Sequence, residues 1–165
     1  MLTLENIVLV AGGVLSALLA GLLYAFHVAF VPALRSLTGA QHIAAMQAIN
    51  EKIKNPVFFL SFFGPTLLLP LAAYLYRSAP AFPLLVAAAA LHIVGANGVT
   101  IAGNLPLNAR LGEHHADQLA ESEADQIRHA FQGPGTPWMR LHAIRTVAAI
   151  AATTLVFVVC LYQNR

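Results

Sequence analysis

Charged residues are scarce in this chain of 165 amino acids: they make up only 10% of it, whereas 58% of the residues are hydrophobic. Soluble domains carry about 25% charged residues, so the composition excludes an ordinary water-soluble globule. It also excludes disorder, because disordered segments combine low hydrophobicity with high charge. An integral membrane protein remains, and the length fits a single domain over residues 1–165.

Cysteine is nearly absent as well. Cys160 is the single cysteine, which excludes an intrachain disulfide and the paired-cysteine sites of zinc or iron–sulfur clusters. The formal net charge is only +2, and the basic residues form no cluster of the kind that nucleic-acid binding requires. We therefore expect no nucleic-acid partner and a lipid bilayer as the surroundings of most of the chain.

Long stretches with few or no charges occur four times, and they predict membrane-spanning helices. Each reaches the roughly 20 residues that an α-helix needs to cross about 30 Å of hydrocarbon. A membrane barrel would require alternating polarity, which these stretches lack. The predicted spans are 6–31, 56–76, 82–104 and 138–162. The predicted fold class is all-α, a four-helix transmembrane bundle with short amphipathic helices in its two long loops.

The two long loops, 32–54 and 105–140, lie at the same end of such a bundle. Thr38 and Gln41 match a capping box that opens a short amphipathic helix. Residues 117–131 predict a second short helix.

Basic residues are more frequent in these loops than at the opposite end, which holds Arg77 and Arg165. By the positive-inside tendency, the loops face the cytoplasm. We expect an integral protein of the bacterial inner membrane.

Small residues recur every four positions in the first span, at Gly13, Ala17 and Gly21. Such residues let two helix backbones approach closely in lipid. Packing within the chain is the simpler interpretation, and a homo-oligomer is the alternative.

The most informative residues are polar ones inside the spans, because such residues usually face the bundle interior. In the fourth span, His142, Arg145 and Thr146 share one helical face. Arg145 lies about two turns inside the span and needs a polar partner there, unless its side chain snorkels to the membrane surface. Trp138 stands at the depth where interfacial aromatic residues usually lie.

The third span carries a polar stripe at helical spacing, formed by Asn97, Thr100, Asn104 and Asn108. Hydrogen bonding between helices is sufficient to explain Asn97. Asn104 and Asn108, which flank Pro106 at the end of the span, favour a ligand site instead. His92 is predicted near the opposite face and is left out of that site.

Two further spans contribute polar residues at the same end of the bundle. Tyr24 and His27 lie near the end of the first span, and Asn55 begins the second. Antiparallel connectivity brings the polar ends of all four spans together beneath the two long loops. Apolar pockets with a few convergent polar groups are typical ligand sites, so the sequence predicts one here.

Metal binding is a weaker alternative. The spans contain no carboxylate, and a catalytic zinc or iron site usually has three protein ligands. His27 and His142 together could hold a haem as axial ligands. His114, His115 and His129 could also bind a metal, although a solvated loop explains them more simply. No cofactor is favoured.

Four segments resemble the anthrone-oxygenase-like integral membrane family. These segments are AMQAIN at 45–50, NPVFFLSFFGP at 55–65, GVTIAGNLPLN at 98–108, and Trp138 followed by His142-Ala-Ile-Arg145-Thr146. The resemblance covers roughly residues 10–160, and its most specific parts are Asn-x-Pro-x-Asn and His-x-x-Arg-Thr. It implies a four-helix membrane protein, and fungal relatives oxidise an anthrone to an anthraquinone with molecular oxygen.

The residues are compatible with that chemistry. A neutral His142 or His27 suits the base that removes the ring proton, since the unperturbed imidazole pKa of about 6.5 is close to working pH. Arg145 would donate hydrogen bonds to the developing oxyanion. The predicted ligand contacts are Asn104, Asn108, Tyr24, Asn55, Trp138 and Thr146.

The predicted ligand is a small apolar aromatic or quinone-like molecule. A non-enzymatic protein is the alternative. It would bind a haem, a quinone or a lipid in the same pocket, as part of a larger redox assembly. The polar groups could also simply join the helices.

Overall fold

The structure, a computed structural model, describes residues 3–162, which form helices and no strand. Six helices follow one another in chain order: α1 Leu4–Arg35, α2 Gly39–Lys52, α3 Pro56–Leu75, α4 Phe82–Gly112, α5 Glu121–Gln132 and α6 Pro137–Tyr162. α1, α3 and α4 are long and apolar enough to cross a membrane, and α6 forms the apolar part of the fourth such segment. The predicted all-α bundle is thus confirmed. Arg165, used above for orientation, lies outside the described residues.

Helix starts follow from local capping. The predicted capping box of α2 is confirmed: Thr38 Oγ1 accepts from Gln41 N at 3.4 Å, and Thr38 N donates to Gln41 Oε1 at 3.3 Å. Asn55 caps α3 in the same way by accepting from Phe58 N at 3.0 Å. These side chains satisfy backbone N–H groups that the first helical turn leaves unpaired.

Two spanning helices continue past a proline that lies just beyond their predicted ends. α1 passes Pro32 and α4 passes Pro106, so both extend further than the predicted ends at 31 and 104. The turn before each proline is a wide π-turn, at Phe26–Phe30 and Thr100–Asn104. Because proline has no N–H and crowds the carbonyl four residues earlier, widening the preceding turn lets the helix continue.

The bundle has an apolar outer surface, and its largely apolar interior also buries several polar side chains. Leu67, Val94 and Val147 are each about two-thirds or more exposed on its outer surface. Ser16 and Thr153 are buried and share a hydrogen bond of 2.9 Å between α1 and α6. Outward-facing apolar side chains contact lipid without a hydrophobic penalty, whereas inward polar ones find partners.

The small-residue stripe of α1 packs within the chain at only one end. A Cβ added to Gly13 would lie 2.9 Å from Val156 Cγ1 of α6, so glycine is needed for this close approach. The equivalent atom on Gly21 would have nothing within 4 Å. The stripe therefore serves intrachain packing at Gly13.

Helices α2 and α5 lie across one end of the bundle, and we call this pair the cap. At Gly39 the first turn of α2 meets α5 so closely that an added Cβ would lie 2.5 Å from the backbone of Ala124. Gly39 N also donates to Glu121 Oε1 at 2.6 Å. α5 begins at Glu121, later than the predicted residue 117. Gly135, with φ 77°, turns the chain into α6.

Candidate functional site

A cavity of about 690 Å³ lies between the spanning helices and the cap. Its volume is within the range of about 300–1,000 Å³ that is typical of small-molecule sites. α2 forms one wall, and α1, α3, α4 and α6 form the others. Its apolar lining consists of Leu19, Leu22, Leu23, Phe26, Met46, Ile49, Ile53, Phe58, Phe59, Phe62, Phe63, Ile101, Leu105 and Ala109.

Polar groups occupy two parts of this cavity. Thr100, Asn108, Trp138 and Arg145 line it from α4 and α6. On the cap side it is lined by an exposed ion pair, in which Lys54 Nζ lies 2.7 Å from Glu51 Oε2. The hydrogen bond and charge of Lys54 lower the pKa of the Glu51 carboxyl. This pair marks a side of the cavity that is open to water.

Arg145 is the charged residue on the membrane side of the cavity. Its Nε donates to His142 Nδ1 at 3.1 Å, and its Nη1 donates to Thr100 Oγ1 at 3.3 Å. Its Cζ also lies 5.8 Å from the centre of the Trp138 ring, within cation–π range. The side chain thus bonds inside the bundle and does not snorkel. The ion pairs formed by residues 3–162 do not include Arg145.

The bond from Arg145 fixes the protonation of His142. A guanidinium only donates, so Nδ1 of His142 must accept and a neutral ring carries its proton on Nε2. The ring is buried and stacks on Trp138 at 5.0 Å and on His27 at 5.5 Å. His142 and His27 are absent from the cavity lining, because they lie behind Arg145, Trp138 and Phe26.

A second set of bonds holds Trp138. Its Nε1 donates to Asn108 Oδ1 at 2.7 Å, and Asn108 Nδ2 donates to Asn50 Oδ1 on α2 at 3.1 Å. Asn104 Nδ2 donates to the Trp138 carbonyl at 3.2 Å. These bonds connect α2, α4 and α6, so they fix the tryptophan ring in the cavity wall and attach the cap to the bundle.

The structure brings together most of the predicted site residues, with different roles. Arg145, Asn108 and Trp138 line the cavity, whereas Asn104 supports it from behind. Thr146 also lies behind it, where its Oγ1 donates to the His142 carbonyl at 2.7 Å.

Two predicted ligand contacts lie elsewhere. Tyr24 is 55% exposed on the outer face of α1, because Leu19, Leu23 and Phe26 occupy the inward face at helical spacing. Asn55 is exposed and caps α3, and its Nδ2 donates to the Lys52 carbonyl at 3.0 Å. Neither side chain lines the cavity.

The prediction that His92 faces away from the polar stripe is wrong. His92 is buried, and its Nε2 donates to the Phe62 carbonyl at 3.2 Å. Asn97 donates to the same oxygen at 2.7 Å and to Thr66 Oγ1 at 2.8 Å. α4 is a π-helix over Leu91–Gly98, and its i→i+5 bonds place residues five apart above one another. The predicted helix–helix role of Asn97 is confirmed.

Sequence reasoning missed the apolar walls and most of the contribution of α2. Phe26, Phe58 and Phe62 are ordinary apolar residues of a membrane span, and nothing in their spacing distinguishes a cavity wall from a lipid-facing side chain. Asn50 had a weak signal, as a polar residue near the end of an amphipathic helix.

The family model described as anthrone oxygenase matches residues 58–155, more than half of the chain. The chain belongs to the anthrone oxygenase family. No curated protein and no solved structure matches it. The matched segment contains the Arg145 side of the cavity, with Asn108, Trp138 and His142. α1 and α2, which complete the cavity, precede the match.

The two histidines do not fit a haem iron between them. Axial ligands point their nitrogens at the iron from opposite sides, whereas the rings of His27 and His142 stack face to face with an interplanar angle of 27°. They fit a metal ion poorly as well, because a ligating histidine normally donates its second N–H outward. Nδ1 of His142 instead accepts from a cation.

Proposed function

We propose that this anthrone oxygenase family member is itself an oxygenase. It acts on an apolar polycyclic phenol of the anthrone class, bound in the cavity under the cap. The reaction converts a ring methylene into a carbonyl group. Family membership supports the reaction class, and the aromatic walls of the cavity support the substrate class.

One observation carries this proposal: Arg145 lines an apolar cavity without a carboxylate partner among residues 3–162. A charge in such surroundings is costly unless it is paired. Its two hydrogen-bond partners, His142 and Thr100, are neutral. We infer that the ligand supplies the negative charge. An anthrone can do so, because loss of a ring proton gives a delocalised phenolate.

The chemistry then balances without an external reductant. The bound phenolate gives one electron to molecular oxygen, and the two resulting radicals join at the ring carbon as a peroxide anion. This anion takes up one proton, equivalent to the one released when the phenolate formed, and becomes a hydroperoxide. Loss of water from the hydroperoxide leaves the quinone carbonyl. One oxygen atom enters the product and the other leaves in water. The substrate supplies all the electrons.

Arg145 promotes this sequence by stabilising the anion. A fixed donor in a low-dielectric site stabilises a developing oxyanion more than water does, because it needs no reorganisation. The phenolate therefore forms more readily when bound. The aromatic walls keep the polycyclic ring system oriented and limit the access of water.

His142 acts in this proposal as a positioning residue. Its Nδ1 is used by Arg145, and its ring is stacked between Trp138 and His27. By accepting from Nε, His142 holds the guanidinium of Arg145 so that it faces the cavity. The alternative assignment of His142 or His27 as the base stays a prediction. Nδ1 of His27 and Nε2 of His142 have no partner among residues 3–162.

The test of function uses protein in detergent or nanodiscs with emodin anthrone under air. Quinone absorbance and oxygen uptake are followed against a protein-free blank. We expect turnover well above the blank, with equal amounts of oxygen consumed and quinone formed. Arg145→Gln should lower kcat/KM by about 100-fold to 1,000-fold. Arg110→Gln, an exposed arginine at the end of α4, is the matched control and should match the wild type.

A pair of substitutions at His142 separates positioning from base catalysis. In His142→Asn, the amide oxygen can still accept from Arg145 Nε, whereas His142→Ala removes that acceptor. If His142 positions Arg145, the Asn variant should keep most of the activity and the Ala variant should lose it. Equal loss in both variants, with an altered pH profile, would support the base assignment instead.

Quinone binding without turnover is the second candidate. It is favoured by the same donor, since Arg145 could also bond a neutral quinone oxygen. For this role we expect emodin to bind saturably while anthrone oxidation stays at the rate of the blank. Under either role, we propose the bacterial inner membrane as the location.

A further inference from the structure

A second hollow, of about 240 Å³, lies on the outside of the cap end of the bundle. It is formed where the end of α1 meets α2 and α5. It shares no lining residue with the main cavity. Four of the side chains around it carry a positive charge or gain one on protonation: Arg35, His42, Arg128 and His129.

The two arginines of this hollow are held in place by backbone groups. Arg35 Nη2 donates to the Gln132 carbonyl at 3.0 Å, and Arg128 Nη1 donates to the Leu37 carbonyl at 2.7 Å. Asp125 lies 2.8 Å from Arg128 Nη2 and neutralises that charge in part. Arg35 has no acidic partner among residues 3–162. The hollow therefore keeps a positive charge with donors already fixed in position.

A buried polar atom points to a ligand in the same place. His42 is fully buried, and its Nδ1 donates to the Leu34 carbonyl at 3.1 Å. Its Nε2 has no partner among residues 3–162, and neither has Oε1 of the buried Gln132. Burial, and then the charges of Arg128 and Arg35, lower the pKa of His42. Both guanidinium groups thus act on the imidazole ring.

The position along the membrane normal also fits an anion. Arg35 is the first charged residue after the long uncharged stretch that begins at residue 6. It ends a helix that is long and apolar enough to cross a membrane, so we expect the hollow to lie at the depth of lipid headgroups. Anionic headgroups attract basic residues at this level.

We propose that this hollow binds a phosphate group, with Arg35 and Arg128 as its charged donors and His42 as a third donor at its base. Guanidinium groups match the geometry of phosphate oxygens. The phosphate belongs either to the headgroup of an anionic lipid or to a soluble phosphate, since both present the same oxygens. Binding would fix the cap against the end of α1.

Phosphate binding is coupled to a proton in this arrangement. With Nδ1 bonded to Leu34, His42 can donate from Nε2 only in its protonated form. The groups that face it are Arg35 from α1 and Arg128 and His129 from α5, with Asp125 beside Arg128. A bound anion offsets the repulsion from the two arginines and favours the protonated ring, so affinity should rise as the pH is lowered.

The lipid arm of the test uses protein in nanodiscs of phosphatidylcholine with or without phosphatidylglycerol. Lipids that stay bound are then counted by native mass spectrometry. We expect wild-type protein to retain phosphatidylglycerol selectively, and Arg35→Gln/Arg128→Gln to lose at least tenfold of that retention. Arg110→Gln removes an arginine at the same end of the bundle and should retain as much as the wild type.

The soluble arm titrates inorganic phosphate into protein in phosphatidylcholine nanodiscs and follows the His42 ring signal by NMR. A saturable shift without selective lipid retention would identify a soluble phosphate as the ligand. His42→Asn keeps a donor near the Nδ1 position, so it should fold but bind more weakly and with a smaller rise in affinity as the pH is lowered. If the double variant does not fold, the single variant Arg35→Gln replaces it in both binding measurements. Absence of binding in both arms, or wild-type binding by Arg35→Gln, overturns the proposal.

Discussion

Two buried polar clusters lie on neighbouring turns of α4 and differ in what completes them. The helix-joining cluster consists of Thr66, His92, Asn97 and the Phe62 carbonyl, and the donors of Asn97 and His92 bond to α3. The cavity cluster consists of Thr100, His142 and Arg145, and it carries a full charge beside an open space. Only three positions separate Asn97 from Thr100.

The difference shows how to distinguish structural from functional polar groups in a membrane bundle. Hydrogen bonds between neutral groups of two helices reduce the cost of burying them, so the helix-joining cluster has a sufficient explanation in stability. A guanidinium without a carboxylate partner has no such explanation. Burying its charge costs more free energy than two hydrogen bonds to neutral groups recover. A ligand anion supplies the missing compensation.

Replacing Arg145 by Leu should separate activity from stability most clearly. The charge is costly in the empty protein, so its removal should leave the thermal midpoint unchanged or higher. Anthrone oxidation should fall by about 100-fold or more. Both quantities are measured on the same detergent-solubilised sample, and a large drop in thermal midpoint would contradict the difference drawn between the clusters.

Asn97→Leu should show the opposite behaviour. It removes the bonds to the Phe62 carbonyl and Thr66, at a cost of about 1–2 kcal/mol in the free energy of unfolding. kcat/KM should stay within about twofold of the wild type at a temperature where the variant is folded. Unfolding in mixed micelles gives the stability. Loss of activity by the folded variant would mean that the two clusters act together.

Thr100→Val tests the boundary between the clusters with a smaller expected effect. Valine has nearly the shape of threonine but cannot accept from Arg145 Nη1. One of the two bonds that aim the guanidinium is lost, and we expect kcat/KM to fall by about 3-fold to 10-fold, the effect of one hydrogen bond of about 1 kcal/mol. The thermal midpoint serves as the control and should change little.

The smallest expected effect is a pH dependence that comes from neither cluster. Burial chiefly, and then Arg128 and Arg35, hold the pKa of His42 below its usual value of 6.5. As the pH falls through 6.5, the unfolded chain therefore takes up this proton before the folded one, and the free energy of unfolding decreases. The decrease continues down to the lowered pKa and then stops. His42→Asn should remove this pH dependence. The measurement is the free energy of unfolding of the wild type minus that of the variant at each pH.

Much of the architecture could be predicted because its causes are local. Uncharged stretches of sufficient length gave the spans, and Thr38 with Gln41 gave the start of α2. The convergence of Asn108, Trp138 and Arg145 at one end followed from antiparallel connectivity. The position of His92 did not follow, because its helical face was assigned with a uniform α-helical period. The wide turn at Leu91–Gly98 breaks that period, and it depends on packing between helices. The position of Tyr24 did not follow either, because the inward face of α1 is as apolar as its lipid-facing side.

Trp138 has a practical consequence for studying this protein. It is the single tryptophan of the chain, and its indole forms part of the cavity wall. Intrinsic emission therefore originates at the place where ligands are expected, with no second fluorophore of that kind to dilute the signal. Quinones absorb light and accept electrons from excited indole, so quenching of this emission can serve as a label-free optical titration of cavity occupancy.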